Sequence, residues 1–584
     1  MPRNRIERKS SKCWRGTLRG ITAALVYNLS CFTHGCSTGW VSGVLGNEAL
    51  TGGAWLAALP CLVALPAAPM FAVLADVRGR KTGAFCIGLI FIISWCLAAW
   101  CGGRGIWAAR VAAGAGGAGA LALAPLYCAE IAPRTRGLAA LPALACSCGI
   151  LFAYTGGGLL SAHALSLVMA VPPVLLLISL LWLPETPSFL INTGKIQKAA
   201  KVMCWFNGSD FTEDLTDVIE QQEVRIRTSG SYSRHDLGRD ESDTFQPMLK
   251  RNSGLESNSE KRSEKREQTT CRELFRGSNA RRALISCLVL IAVAAGSGAG
   301  AVNSFAAAVL RHSTHRIPKL NVTAYNFTIY NGTLPRDLFE SSEAGSMLCG
   351  TALVLGAAVA CGSVDRVGRK TLLLWSCSGI AFCLAVLGVY CDPHLNSITH
   401  KLLSYKKIVK DKTIKDRIYF ENITSYNDSI KYNETKPWHR LSSDNISYVV
   451  EWPVKIDQSD ADDVTIWLPV ILLSMVLFFY NIGLGSVPYV LVTELFSINV
   501  RSLASSFLIA WMWLSNFLVL RYYGTIAFSL GLHAAYYISS SITLLGAWYI
   551  YLILPETKGK SQSQIDESLK GPWILMMEKR KIER

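Results

Sequence analysis

"DVRGRKTG" occupies residues 76–83 and "DRVGRKTLLL" residues 365–374. Each places an acid, a glycine and a cluster of bases directly after a long apolar run, in a chain of 584 residues that is 51% hydrophobic and 17% charged. A charged phrase written twice between apolar blocks marks equivalent ends of membrane-crossing helices, because lipid tolerates charge only at its borders. The blocks are about 20 residues long, the length an α-helix needs to cross the hydrocarbon. Twelve spans are predicted, at 20–45, 52–75, 84–102, 104–127, 138–160, 163–183, 283–307, 343–363, 371–391, 466–490, 503–528 and 532–554. Their Gly, Ala, Ser and Pro suit close helix packing in lipid, where small residues let backbones approach.

The net charge of +16 points to a membrane surface rather than to nucleic acid, because of where the bases stand. Arg3, Arg5, Arg8, Lys9, Lys12 and Arg15 precede the first span; Arg78, Arg80 and Lys81 follow the second; Arg134 and Arg136 follow the fourth. Arg366, Arg369 and Lys370 follow the eighth, and Lys579, Arg580 and Lys581 lie near the end. Twelve spans put all of these on one side, so both termini are expected in the cytoplasm. The basic stretch 401–417 would lie outside, within a loop long enough to be translocated regardless of charge. The first block is too long for a signal sequence, lacks a small-residue cleavage pattern and is expected to stay as a helix.

Glycosylation sequons test this topology independently. Seven of nine, at Asn321, Asn326, Asn331, Asn422, Asn427, Asn433 and Asn445, fall in the two segments predicted to be external, 308–342 and 392–465. Asn28 and Asn207 fall in a span and in the cytosol and are expected to stay bare. The 18 cysteines lie mostly within spans, without metal-ligand spacing, and read as small packing residues.

Two further doublets complete the repeat. "PLYCAEIAPRTRG" (125–137) after the fourth span pairs with "PYVLVTELFSINVR" (488–501) after the tenth, and "LPETPSFL" (183–190) after the sixth pairs with "LPETKGKS" (554–561) after the twelfth. The interval Asp365 to Glu494 exceeds Asp76 to Glu130 by 75 residues, about the length of the 392–465 loop. Apart from that insertion the halves share one period. The predicted organisation is a cytoplasmic N-terminus (1–19), an N-terminal six-helix half (20–183), a cytoplasmic linker (184–282), a C-terminal six-helix half (283–554) and a cytoplasmic C-terminus (555–584). Within the linker, 196–226 carries helical spacing with alternating charge, and 228–268 is polar enough to be disordered, with serines open to phosphorylation. Two six-helix halves in parallel repeat suit a carrier whose midplane site opens to each side in turn by rocking. Acids and arginines at helix ends can then pair when the inner side is shut and part when it opens.

With these motifs in view, the chain resembles the sugar porter family of the major facilitator superfamily over almost its whole length. The motifs stand at Asp76 to Lys81, Asp365 to Lys370, Pro125 to Gly137, Pro184 to Leu190 and Pro555 to Gly559. The long, sequon-bearing loop between helices nine and ten looks most like that of the class III facilitative glucose transporters. The resemblance implies an all-α membrane protein of twelve helices and a cytoplasmic charge network of Asp76, Arg80, Glu130, Arg136, Glu185, Asp365, Arg369, Glu494 and Arg501. Val77 and Ser188 replace motif arginines, and the step from Glu130 to Arg136 is one residue shorter than its counterpart, so a weaker latch is expected in the first half.

A sugar offers hydroxyls and apolar ring faces, which call for amides and an aromatic surface. The family's amides are replaced here by Ala143 on helix five, by Ala294, Ala295 and Gly300 on helix seven and by Leu353 on helix eight, with Met512 where an asparagine is usual. Trp513, Asn481, Tyr489, Ser297 and Gly298 remain as the candidate substrate contacts. The acid of proton-coupled relatives, expected in the frame 35–43, is Ser37; His34, three residues before it, is the one rival coupling group. The expected function is facilitative, proton-independent transport of a hexose or related polyol, in the plasma membrane. A non-sugar solute and a nutrient sensor with this fold are the alternatives. No nucleotide loop, metal cluster or nucleophile motif suggests an enzyme or a cofactor; protein partners are left open.

Overall fold

The computed structural model describes residues 16–45, 54–100, 102–131, 141–207, 274–275, 277–313, 336–392, 463–496, 498–560 and 562–570. Regular structure among them is entirely helical. A helical stretch over 16–27 bends at Asn28 into α1 (Leu29–Leu45) and is followed by α2 (Ala54–Arg78), α3 (Arg80–Trp100), α4 (Gly102–Ile131) and α5 (Leu141–Leu159). The sixth crossing is made by α6 (Ala162–Met169) and α7 (Val171–Leu180), jointed where Pro172 and Pro173 begin a new helix. Short helices α8 (Pro187–Asn192) and α9 (Ile196–Asn207) open the linker.

The second half runs through α10 (Ser278–Gly296), α11 (Ala299–Ser313), α12 (Arg336–Val367), α13 (Arg369–Cys391), α14 (Asp463–Ile482), α15 (Val487–Leu495), α16 (Ile498–Ser529) and α17 (Leu532–Ile553), with α18 (Gln562–Lys570) after it. Among the described residues, ten helices are long and apolar enough to cross a membrane. The predicted first and tenth spans fall short as single helices for local reasons. Asn28 turns its side-chain amide back onto the Ala24 carbonyl at 2.8 Å, and "GLGSVP" after Ile482 opens a turn that restarts as α15 at a proline. Predicted spans are a few residues short where helices such as α12 continue past the hydrocarbon.

Packing repeats between the halves. Helix α2 packs on α4 as α12 does on α14; α3 on α4 as α13 on α14; α1 on α5 as α10 on α16. The α1–α5 contact is close because Gly35 and Gly149 stand where a methyl group would strike the backbone oxygens of Cys146 and Phe32. Contacts between halves run through α1 with α11, α2 with α16 and α5 with α12. The sequons at Asn321, Asn326, Asn331, Asn422, Asn427, Asn433 and Asn445, the 228–268 insert and Arg136 lie outside the described residues.

Candidate functional site

The duplicated phrase folds twice into the same object. Gly79 and Gly368 sit between helices with φ of 99° and 107°, a backbone that L side chains rarely adopt. Each turns the chain so that the next helix begins on a carboxylate. The Glu185 Oε1 accepts the Arg80 backbone N–H at 2.9 Å, and Glu556 Oε1 accepts that of Arg369 at 3.0 Å. The lysine N–H that follows bonds the same carboxylates, Lys81 to Glu185 Oε2 and Lys370 to Glu556 Oε2, both at 3.1 Å. An anion at a helix N-terminus satisfies amides that have no partner within the helix. Burial pushes the Glu185 carboxyl above the ordinary range, against the opposing pull of those N–H groups and of Arg80.

The arginines tie each junction to a third helix. Arg80 donates to Glu130 Oε1 at 2.9 Å and Arg369 to Glu494 Oε1 at 2.8 Å. Both also bond a carbonyl of the preceding helix, Ala75 and Val364 respectively, at 2.9 Å. Asp76 adds a 3.1 Å contact to Arg80 from a mostly exposed position. Every one of these links lies within its own half. The side chains of Asp365 and Arg501, like Arg136, fall outside the described set.

The copies differ at the arginine Nε, which bonds Glu494 Oε1 at 3.1 Å in Arg369 and nothing among the described residues in Arg80, and at one hydroxyl. Thr557 Oγ1 donates to Glu494 Oε2 at 2.6 Å. Its counterpart Thr186 Oγ1, buried, has no partner among the described residues, and neither does Glu130 Oε2. The first cluster therefore lacks a bond that the second has.

A cavity of about 200 Å³ lies between the halves. Ser147 and Asn481 meet across it: Asn481 Nδ2 donates to Ser147 Oγ at 2.7 Å and to the Leu353 carbonyl at 2.9 Å. Trp513 on α16 stands edge-on to His34 on α1, ring centres 5.7 Å apart. Among the described residues Trp513 Nε1, Asn303 Oδ1 and His34 Nδ1 have no hydrogen-bond partner. Toward the face opposite the charge clusters, Tyr154 Oη donates to the Asn303 carbonyl at 2.5 Å, and the Arg521 guanidinium lies 4.9 Å over the Trp55 ring, which also meets Phe517.

Of the candidate contacts, Trp513 and Asn481 line this cavity. Ser297 and Gly298 are absent from the lining. Ser297 bonds the Ala294 carbonyl at 2.7 Å and Gly298, at φ 75°, breaks α10 from α11 against Ser539 and Tyr523, so they shape the helix rather than the pocket. The side chain of Tyr489 falls outside the described set. Ala143, Gly300, Leu353 and Met512, where amides were expected, do line the cavity, whereas Ala294 and Ala295 do not.

Sequence reasoning missed three lining groups. Asn303 lies three residues after Gly300 and Asn516 three after Trp513, one helical turn on in each case, so the amides are displaced as well as reduced. Arg110 on α4 was overlooked as a lone base in an alanine- and glycine-rich span. It donates from Nη1 to the hydroxyl and the carbonyl of Ser37, both at 2.9 Å, and from Nε to the Leu56 carbonyl at 3.0 Å. Among the described residues no group of three His, Cys, Asp or Glu converges as a metal site.

A sequence model of the family described as "Sugar (and other) transporter" matches residues 45–315, 319–409 and 454–569. The "Facilitated trehalose transporter Tret1-2 homolog" of Drosophila simulans is 23% identical over 89% of this chain and 82% of its own length. The "Solute carrier family 2, facilitated glucose transporter member 8" of Mus musculus is 22% identical over 90% of this chain and 87% of its own. Among solved structures, the proton:xylose symporter XylE bound to 6-bromo-6-deoxy-D-glucose aligns with a TM-score of 0.59 at 16% identity, covering 94% of this chain and 98% of that one.

Proposed function

The chain belongs to the sugar (and other) transporter family and has the major facilitator fold, and from that premise we propose that it carries a hexose or related polyol down its gradient, by alternating access and without proton coupling. The observation that supports this most is the cavity between the halves, with Trp513 Nε1 and Asn303 Oδ1 left without partners among the described residues. Groups of this kind are what a sugar's hydroxyls require. At about 200 Å³ the cavity lies below the roughly 300–1,000 Å³ of drug-sized sites, which favours a monosaccharide over the disaccharide named for the trehalose relatives.

Freedom from proton coupling rests on Ser37. Its hydroxyl occupies the place beside Arg110 where a titrating carboxylate would be needed, and a serine cannot take up and release a proton near neutral pH. The bases of the charged face support a cytoplasmic assignment, with both termini inside and the long loops outside, and the plasma membrane is the proposed site of action. Asp76, Arg80, Glu130, Arg136, Glu185, Asp365, Arg369, Glu494 and Arg501 are the proposed network at that face, keeping each half rigid while the halves rock and shutting the inner side. Trp513, Asn481 and Tyr489 are the proposed substrate contacts. Counterflow uptake of labelled hexoses, polyols and non-sugar solutes into proteoliposomes tests the proposal: saturable exchange of a hexose supports it, and exchange confined to a non-sugar solute overturns it.

A further inference from the structure

Arg110 is 6% exposed in the middle of a membrane bundle and lines the central cavity. Among the described residues its bonds reach a hydroxyl and two carbonyls, and no carboxylate meets it. Dipoles satisfy the geometry of a guanidinium but leave its charge in place, and a buried, unpaired charge in a low-dielectric interior is costly. Among the described residues its Nη2 carries no protein hydrogen bond. The cavity lining contains neither Asp nor Glu, and its other basic group, His34, can only add positive charge.

A cavity with one uncompensated cation and a hydroxyl-binding set of asparagines fits a ligand with both features. We propose that the solute carried here bears a single carboxylate, a hexuronate or aldonate, with its acid group on Arg110 and its hydroxyls toward Asn303, Asn481 and Asn516. This deepens the transport reading above and rests on it. The bound carboxylate supplies the counterion that Ser37 does not. Because Arg110 stays with the protein while the ligand crosses, each transport cycle moves one negative charge.

Voltage distinguishes this from neutral sugar transport. Proteoliposomes holding the full chain are clamped at about 100 mV, inside positive, with labelled glucuronate or glucose outside. Glucuronate is expected to accumulate toward about 50-fold, the ratio that 100 mV sets for one charge, while glucose does not accumulate. Arg110→Gln should abolish the voltage-driven uptake, Arg110→Lys should retain it, and Ser37→Asp, which places a carboxylate beside Nη1, should suppress it. Should Arg110→Gln fail to fold, the voltage arm on the wild-type protein decides alone. Electroneutral glucose exchange with glucuronate neither carried nor competing overturns this inference and leaves the transport reading intact. Voltage-driven glucose uptake that requires chloride would identify the anion as a separate ion and overturn it too. If neither sugar exchanges, the transport reading fails and this inference with it.

Discussion

Replacing Thr557 by valine should weaken the protein, while the same change at Thr186 should not. The two threonines occupy the same place in "LPET", are both buried, and lose only a hydroxyl in the substitution. Thr557 Oγ1 makes a 2.6 Å bond to the Glu494 carboxylate, a length typical of a charge-assisted O–H donor. Hydrogen bonds to charged groups contribute about 1.5–3 kcal/mol, and the oxygen left behind is not readily rehydrated. Among the described residues Thr186 Oγ1 bonds nothing and Glu130 Oε2 accepts nothing, so that substitution removes an unsatisfied hydroxyl at little or no cost. If a six-helix half melts as a unit of about 200 residues, 2 kcal/mol corresponds to a shift on the order of 5 °C. Melting by fluorescence-detected size exclusion in one detergent compares the variants directly. Thr557→Val should melt about 5 °C below wild type and Thr186→Val within about 1 °C of it. Equal shifts would refute the argument that the second cluster carries a bond the first lacks.

Gly368→Ala places a Cβ 2.8 Å from Glu556 Oε2 at a φ of 107°; backbone strain alone costs about 1–3 kcal/mol, so a loss of folded yield larger than that of Thr557→Val is expected. Asn481→Leu severs the links to Ser147 and Leu353 across the cavity; counterflow should fall at least 10-fold with little change in melting, and unaltered transport would remove Asn481 from the site. Reversing Arg369 to Glu sets two carboxylates against each other at Glu494, and cytosolic cysteine accessibility should rise as the inner side opens; unchanged accessibility would reduce the cluster to a helix anchor. Enzymatic deglycosylation should shift the mobility of the intact chain, and the shift should vanish when Asn321, Asn326, Asn331, Asn422, Asn427, Asn433 and Asn445 are all replaced by Gln; a residual shift traced to Asn207 would invert the topology.

Apolar length and repeated charge are properties of the chain itself, so the helices and the doubled junctions are legible in the sequence. The twin glycines 79 and 368 illustrate this, because the motif that repeats in sequence is the motif that builds the same turn and capped helix. The cavity was harder to read, since lining a pocket depends on helix rotation and on breaks such as Gly298, which no spacing rule reveals. Ser297 and Gly298 were drawn in by resemblance although they serve the break. Asn303 and Asn516 were passed over because they stand one turn from the expected positions. Arg110 was missed because its partner is the backbone and hydroxyl of Ser37 on another helix, a contact that a single sequence does not pair.

The claim that transport follows the solute gradient alone meets its most direct test in proteoliposomes with the carried solute at equal concentration on both sides. The membrane potential is clamped at zero, an inward proton gradient is imposed, and protein-free vesicles are run in parallel. With Ser37 beside Arg110, the inside-to-outside ratio should stay at one throughout. Accumulation above the protein-free control that disappears in His34→Gln would contradict the account and make His34 the coupling group.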